Sequence, residues 1–137
     1  MQDQGRMEYF QVSIQEINNI LNSLDGKKAT GPDGVSGWIL KECRDELKDK
    51  LHSIICTSIN HGTVLQDWKR ADIVPLFKGE NAENPSNYRP VSLTSVVAKI
   101  CEKIIKDKWT KFLEDNRILT NCQFGRKKTR SYSLETL

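Results

Sequence analysis

The apolar positions divide the chain into segments with different periods. Ile17, Ile20, Leu21 and Leu24 form a stripe at helical spacing, which predicts an amphipathic helix. Its start is written in Ser13 and Glu16, an S-x-x-E capping box, with Val12 and Ile17 placed for a hydrophobic staple. Gly26 is the expected C-terminal stop. Residues 36–60 read as helical, in two pieces meeting near Arg44-Asp45, with Leu47, Leu51, Ile54 and Ile55 as the core face of the second. Gly62 closes it, and Trp68 in the connector that follows is expected to pack inward.

The period then shortens. "ADIVPLFKG" is short, β-branched and aromatic, with Pro75 at its centre, so it reads as an edge strand, because proline cannot donate to a ladder. A polar turn segment covers residues 79–87, and "YRPVSL" reads as the return strand of a β-hairpin. The longest helix is expected from Ser95 to Asp115. Val97, Ile100, Cys101, Ile104, Ile105 and Phe112 lie on one side of it, and Lys99, Lys103 and Lys106 on the other. A loop, a basic cluster (Arg126, Lys127, Lys128, Arg130) and a helix beginning near Ser131 complete the chain. That helix spans barely two turns, which reads as a truncation, since short isolated helices are marginal. The fold class is therefore α+β, mostly helical with one β-hairpin.

Composition narrows the picture. A length of 137 residues suits one modest core. With 37% hydrophobic and 28% charged residues the chain reads as globular. No window approaches the ~18 apolar residues of a membrane span, and the opening "MQDQGRMEYFQVS" lacks the apolar centre of a signal peptide. The expected location is intracellular, in cytoplasm or nucleus, with no membrane partner. Cysteines at 43, 56, 101 and 122 form no C-x-x-C pair and read as reduced thiols. His52, Cys56 and His61 could share a zinc ion, but the usual ligand pairs are missing and cysteine is ordinarily a core residue. No metal site is assigned. The net charge of +3 does not by itself mark a nucleic-acid binder.

Two stretches carry candidate chemistry. In "KKATGPDGVSG", residues 27–37, Gly26 and Gly31 have the separation of a phosphate-binding P-loop. Pro32-Asp33 stands where such a loop needs Lys and Ser or Thr, so that reading fails and turn chemistry remains. In "NPSNYRPVSL", Arg89 precedes Pro90, which pushes its backbone into extended conformations and aims the base of its side chain. If the hairpin pairs simply, Lys78 joins it at the loop end of the two strands. Two converging cations suit a polyanion, with guanidinium gripping phosphate oxygens in pairs. The plainer alternative is two solvated charges beside a loop.

The stretches "KKATGPDGVSGWILKE", "GTVLQDWKRADIVPLFKG", "NPSNYRPVSLTSVVAKICEKII" and "NCQFGRKKTRS" together cover most of residues 13–137. In order and spacing the sequence resembles the reverse transcriptase of non-LTR retrotransposons, of the LINE, jockey-like and chicken-repeat-like types. The resemblance implies the fingers subdomain of a right-hand polymerase over residues 13–137, cut before the palm, with residues 1–12 as an amino-terminal extension. It implies that Lys78 and Arg89 meet the triphosphate of an incoming dNTP. It places Gly31, Pro32, Asp33 and Gly34 near the template path and adds Gln123, Gly125 and Arg126 as template contacts. Phe124 stands one place before Gly125, where the family carries its aromatic after the glycine.

The family's palm aspartates, including its aromatic-Ala-Asp-Asp box, do not occur in this sequence. The resemblance therefore implies Mg2+, an RNA template, a DNA primer and a palm domain for the complete polymerase, but no cofactor and no catalytic residue in this stretch. No polymerase activity is expected from the chain alone. Two alternatives remain open: a domesticated RNA- or DNA-binding module gripping backbone through the lysine stripe and basic cluster, or a helical protein-interaction domain.

Overall fold

A computed structural model describes residues 10–118. In chain order these form α1 (Ile14–Asn22), α2 (Gly37–Glu42), α3 (Arg44–His61), β1 (Ala71–Phe77), β2 (Tyr88–Thr94) and α4 (Val96–Asp115), with short 3-10 turns at Gln66–Lys69 and Pro85–Asn87. The α+β arrangement, helices with one antiparallel hairpin, is the one the apolar periods predict.

The capping box forms as written. The Ser13 hydroxyl accepts from the Glu16 N–H at 3.1 Å, and the Ser13 N–H donates to Glu16 Oε2 at 2.9 Å. Two orphan amides of the first turn are thereby satisfied. Val12 and Ile17 of the staple are both buried. The end of α1 differs from expectation. The helix stops at Asn22, four residues short of Gly26, and the Ser23 N–H caps it on the carbonyls behind. Gly26 serves another purpose: a Cβ there would lie 3.0 Å from the Trp38 Cβ. It is small because Trp38 crosses it.

The Ser36 hydroxyl accepts from the Ile39 N–H and opens α2. The break before α3 falls at Cys43, one residue ahead of the expected Arg44-Asp45. Leu51 and Ile55 of α3 are buried, Leu47 is half-buried, and Ile54, expected in the core, is exposed. Gly62 closes α3 with φ of +62°, where the Thr63 N–H reaches back to the Ser58 carbonyl at 3.1 Å. The left-handed backbone there is the reason for glycine.

The core joins Ile17 and Leu21 of α1, Leu40 of α2, Leu51 and Ile55 of α3, and Val96, Ile100, Cys101 and Ile104 of α4. Half-buried Trp68, Val97 and Ile105 pack against it. Each such large aliphatic side chain contributes about 1.5–3 kcal/mol on full burial. Polar contacts pin the amino-terminal lead-in onto this core. His52 Nε2–H donates to the Val12 carbonyl at 2.7 Å, and Lys108 Nζ sits 3.0 Å from Glu16 Oε1 and 5.8 Å from the centre of the Phe10 ring.

The hairpin extends from this body. Every residue of β1 is exposed, and β2 is half-buried mainly at its base, at Val91, Leu93 and Thr94. The register pairs Ala71 with Thr94 and Phe77 with Tyr88, which sets Pro75 directly opposite Pro90. The Lys78 N–H donates to the Asn87 carbonyl at 2.7 Å. Counting back by twos from that bond makes the proline pair a non-hydrogen-bonded one, whose N–H positions face outward. Neither proline removes a bond from the ladder, and each removes a donor from the middle of an open edge.

Candidate functional site

The loop between the strands is held by its own asparagines. Asn81 Oδ1 accepts from the Glu83 N–H at 2.9 Å, and Asn84 Oδ1 accepts from the Ser86 N–H at 3.0 Å. Asn87 Nδ2 donates to the Asn81 carbonyl at 2.8 Å, and the Tyr88 hydroxyl donates to the Ala82 carbonyl at 2.9 Å. Gly79, with φ of +117°, and Glu80, with φ of +76°, turn the chain out of β1. Composition alone makes residues 79–87 a plain polar turn. The repeat of asparagine at every third position, 81, 84 and 87, is the sequence signal for the bonded loop.

This loop abuts the two candidate cations. Leu76 pairs with Arg89, so Lys78 and Arg89 fall on the same face as diagonal neighbours across the ribbon, with Cβ atoms within roughly 7–8 Å. Both side chains are exposed. Among the described residues, neither lies within ion-pair distance of a carboxylate. Phe77 and Tyr88 meet on the opposite face in a tilted contact, with ring centres 5.4 Å apart and planes at 50°, behind the cations. The face carrying the cations at its tip carries half-buried Val91 and Leu93 at its base. The arrangement is a two-pronged, exposed cationic tip, chemically suited to one polyanionic group.

The Gly31–Gly34 segment lies at the other end. The Gly34 N–H donates to the Gly31 carbonyl at 3.1 Å, closing a turn, and Asp33 Oδ1 accepts from the Val35 N–H at 3.2 Å. Pro32, Asp33 and Gly34 are exposed, and Gly34 has φ of +70°. Gly31 is buried: a Cβ there would fall 2.5 Å from the Thr94 carbonyl carbon and oxygen and 2.6 Å from the Ser95 nitrogen. The turn is thus wedged against the junction of β2 and α4. Five residues of strand, at about 3.3 Å each, separate that junction from Arg89, roughly 16 Å. The structure therefore brings Lys78 and Arg89 together and sets the Gly31–Gly34 turn at the foot of the same ribbon. Gln123, Gly125 and Arg126, the cluster reaching Arg130 and the helix near Ser131 lie outside the described residues.

His52 and Cys56 meet on α3, with Cys56 Sγ 3.5 Å from His52 Nε2, but that nitrogen already donates to Val12. Burial pushes the Cys56 thiol up, and burial with the nearby Glu102 carboxylate does the same for Cys101. Among the described residues no three His, Cys, Asp or Glu side chains come together to hold a metal ion. No helix among them is long and apolar enough to cross a membrane.

No protein-family model matches the chain. Curated relatives do, all from Drosophila melanogaster. The RNA-directed DNA polymerase from transposon BS is 30% identical over 121 residues, 83% of this chain and 13% of its own length. The RNA-directed DNA polymerase from mobile element jockey is 27% identical over 115 residues, again 83% and 13%. A 115 kDa protein in the type-1 retrotransposable element R1DM is 27% identical over 116 residues, 83% of this chain and 11% of its own length. The chain is a homologue of one segment, about an eighth, of the RNA-directed DNA polymerases of Drosophila non-LTR retrotransposons.

Proposed function

We propose that the chain supplies the fingers part of such a polymerase and that its hairpin presents Lys78 and Arg89 to the triphosphate of an incoming dNTP. The observation that carries this reading is the placement of both cations on one face at the tip of the ribbon. In nucleotidyl transfer a primer hydroxyl oxygen bonds to the α-phosphorus while pyrophosphate departs, so negative charge grows on the leaving oxygens. A guanidinium gripping two of those oxygens, with an ammonium beside it, orients the group and offsets that charge. The Gly31–Gly34 turn, with Gln123, Gly125 and Arg126, would follow the template. The complete polymerase would add Mg2+, the RNA template, the DNA primer and the palm. The described residues offer no donor set for the metal, so no step through it is assigned to them, and the chain alone is expected to extend no primer.

An exposed cation and anion 4 Å apart in water gain only about 1 kcal/mol. Two cations, each meeting about two phosphate charges, gain about 4 kcal/mol in all, which corresponds to a Kd on the order of 1 mM. The test is a titration of 15N-labelled chain with dTTP, followed by NMR. Saturable shifts centred on Lys78 and Arg89, lost in the Lys78→Gln/Arg89→Gln variant, are expected. Shifts absent, or unchanged in that variant, would sink the reading.

A further inference from the structure

A second cationic feature lies away from the hairpin tip. A cleft of about 310 Å³ opens between the end of α1, the loop after it and the first half of α4. Its apolar lining includes Ile20, Leu24 and Ile100, and Lys28, Lys99 and Lys103 supply its cations. Lys99 and Lys103 are one helical turn apart on α4 and so stand on one face, with Cβ atoms about 5–6 Å apart. Lys28 comes from the loop after α1, and all three residues are exposed.

The local charge balance favours anions. Among the described residues Asp25 is the one acid in the lining, and its Oδ1 accepts from the Lys27 N–H at 3.0 Å. Lys103 shares its charge with Asp107 at 3.1 Å. Among the described residues Lys28 and Lys99 have no carboxylate within ion-pair distance, and the first turn of α4 carries no acid. Among the described residues no aromatic side chain lines the cleft, so none of them is placed there to stack a base. Lys106 continues the charged face beyond the cleft without lining it.

We propose that this cleft holds the phosphodiester backbone of a single-stranded nucleic acid through Lys28, Lys99 and Lys103, without reading its sequence. The choice of a nucleic-acid strand over other polyanions rests on the polymerase reading above. The cleft borders the β2–α4 junction against which Gly31 packs, since Val96 and Lys99 line it. A strand held there passes the foot of the hairpin.

The test uses the full chain and fluorescence anisotropy with labelled oligo(U) and oligo(dT), each over a range of salt. Lys28→Gln, Lys99→Gln and Lys103→Gln are combined in one variant, and Lys78→Gln/Arg89→Gln forms a second. The cleft variant should bind at least about tenfold more weakly at low salt. The slope of log K against log salt should flatten by about 2 units, for three phosphate contacts at ~0.7 each. The hairpin variant should keep most oligonucleotide binding while losing its response to dTTP, so the two readings fail separately. The basic run at 126–130 is common to all these proteins and cancels in the comparison. Equal losses for oligo(U) and oligo(dT) fit backbone recognition, and a loss confined to one of them would overturn it. Unchanged affinity and slope in a cleft variant that melts like the parent, or no binding by the parent, would also overturn the proposal.

Discussion

Gly31→Ala is the most informative single change the fold offers. The new Cβ would stand 2.5 Å from two backbone atoms of Thr94 and 2.6 Å from the Ser95 nitrogen, where ordinary contact begins near 3.4 Å. The turn or the junction must retreat by about 1 Å, and both sides are backbone. Ser95 is fully buried and its hydroxyl caps α4 by accepting from the Ala98 N–H, so the junction has little room to yield. Overpacking of this kind costs about 1–3 kcal/mol, and a clash with rigid backbone belongs at the upper end. Gly34→Ala is the matched control. Gly34 lies three residues on, has φ of +70° and, among the described residues, has nothing within 4 Å of its missing Cβ, so the left-handed penalty of about 1–2 kcal/mol applies.

Urea unfolding followed by far-UV circular dichroism measures both. Gly31→Ala should lose about 3 kcal/mol, a large part of the ~5–15 kcal/mol that holds a typical domain, and Gly34→Ala clearly less. Hydrogen exchange should show protection lost first at Ala98 and Lys99, the opening turn of α4. If Gly34→Ala were the more damaging, or Gly31→Ala fell within about 0.5 kcal/mol of the parent, the docking role of Gly31 would be wrong.

Two other outcomes test separate parts of the fold. Burial raises the Glu16 pKa, but the Ser13 N–H and the Lys108 ammonium together outweigh it and hold the carboxyl below its ordinary range. Its contribution is therefore complete above the unfolded glutamate pKa of about 4.3 and fades as the pH falls through the lower folded value. Glu16→Gln should flatten the acid limb of a stability–pH profile, and an identical limb would contradict the assignment. On the hairpin, Ile73 is 61% exposed and Phe77 45% exposed, a pairing that invites association. Sedimentation velocity should show concentration-dependent association in the parent that falls in Ile73→Thr/Phe77→Ser, and a parent that stays monomeric across the range would refute this.

Local signals were legible and remote ones were not. The capping box, the hairpin, the left-handed stop at Gly62 and the extent of α4 each depend on residues close together in sequence. Gly26 differs from expectation because glycine answers two needs, a positive φ or a near neighbour, and only the fold shows Trp38 crossing it. Ile54 differs from expectation because the apolar stripe on α3 is wider than the surface the core covers. At the candidate site, the convergence of Lys78 and Arg89 follows from counting strand residues. The wedge of Gly31 under Thr94 and the meeting of Lys28 with Lys99 and Lys103 do not, since their partners lie far along the chain.

The hairpin shows how one arginine can be held firmly on an exposed ribbon. A two-stranded hairpin is marginal by itself, and here most of it lies outside the core. Behind Arg89, the asparagine-bonded loop and the Tyr88–Phe77 contact fix where β2 begins. Ahead of it, Pro90 restricts the Arg89 backbone to extended forms. Because Pro90 faces Pro75 in a non-hydrogen-bonded pair, that restriction costs the ladder nothing. The same pair removes a donor from the middle of both open edges, which discourages a foreign strand from pairing there. Replacing Pro90 would free Arg89 and reopen an edge together, so the residue that aims the guanidinium also keeps the ribbon from acquiring an unwanted third strand.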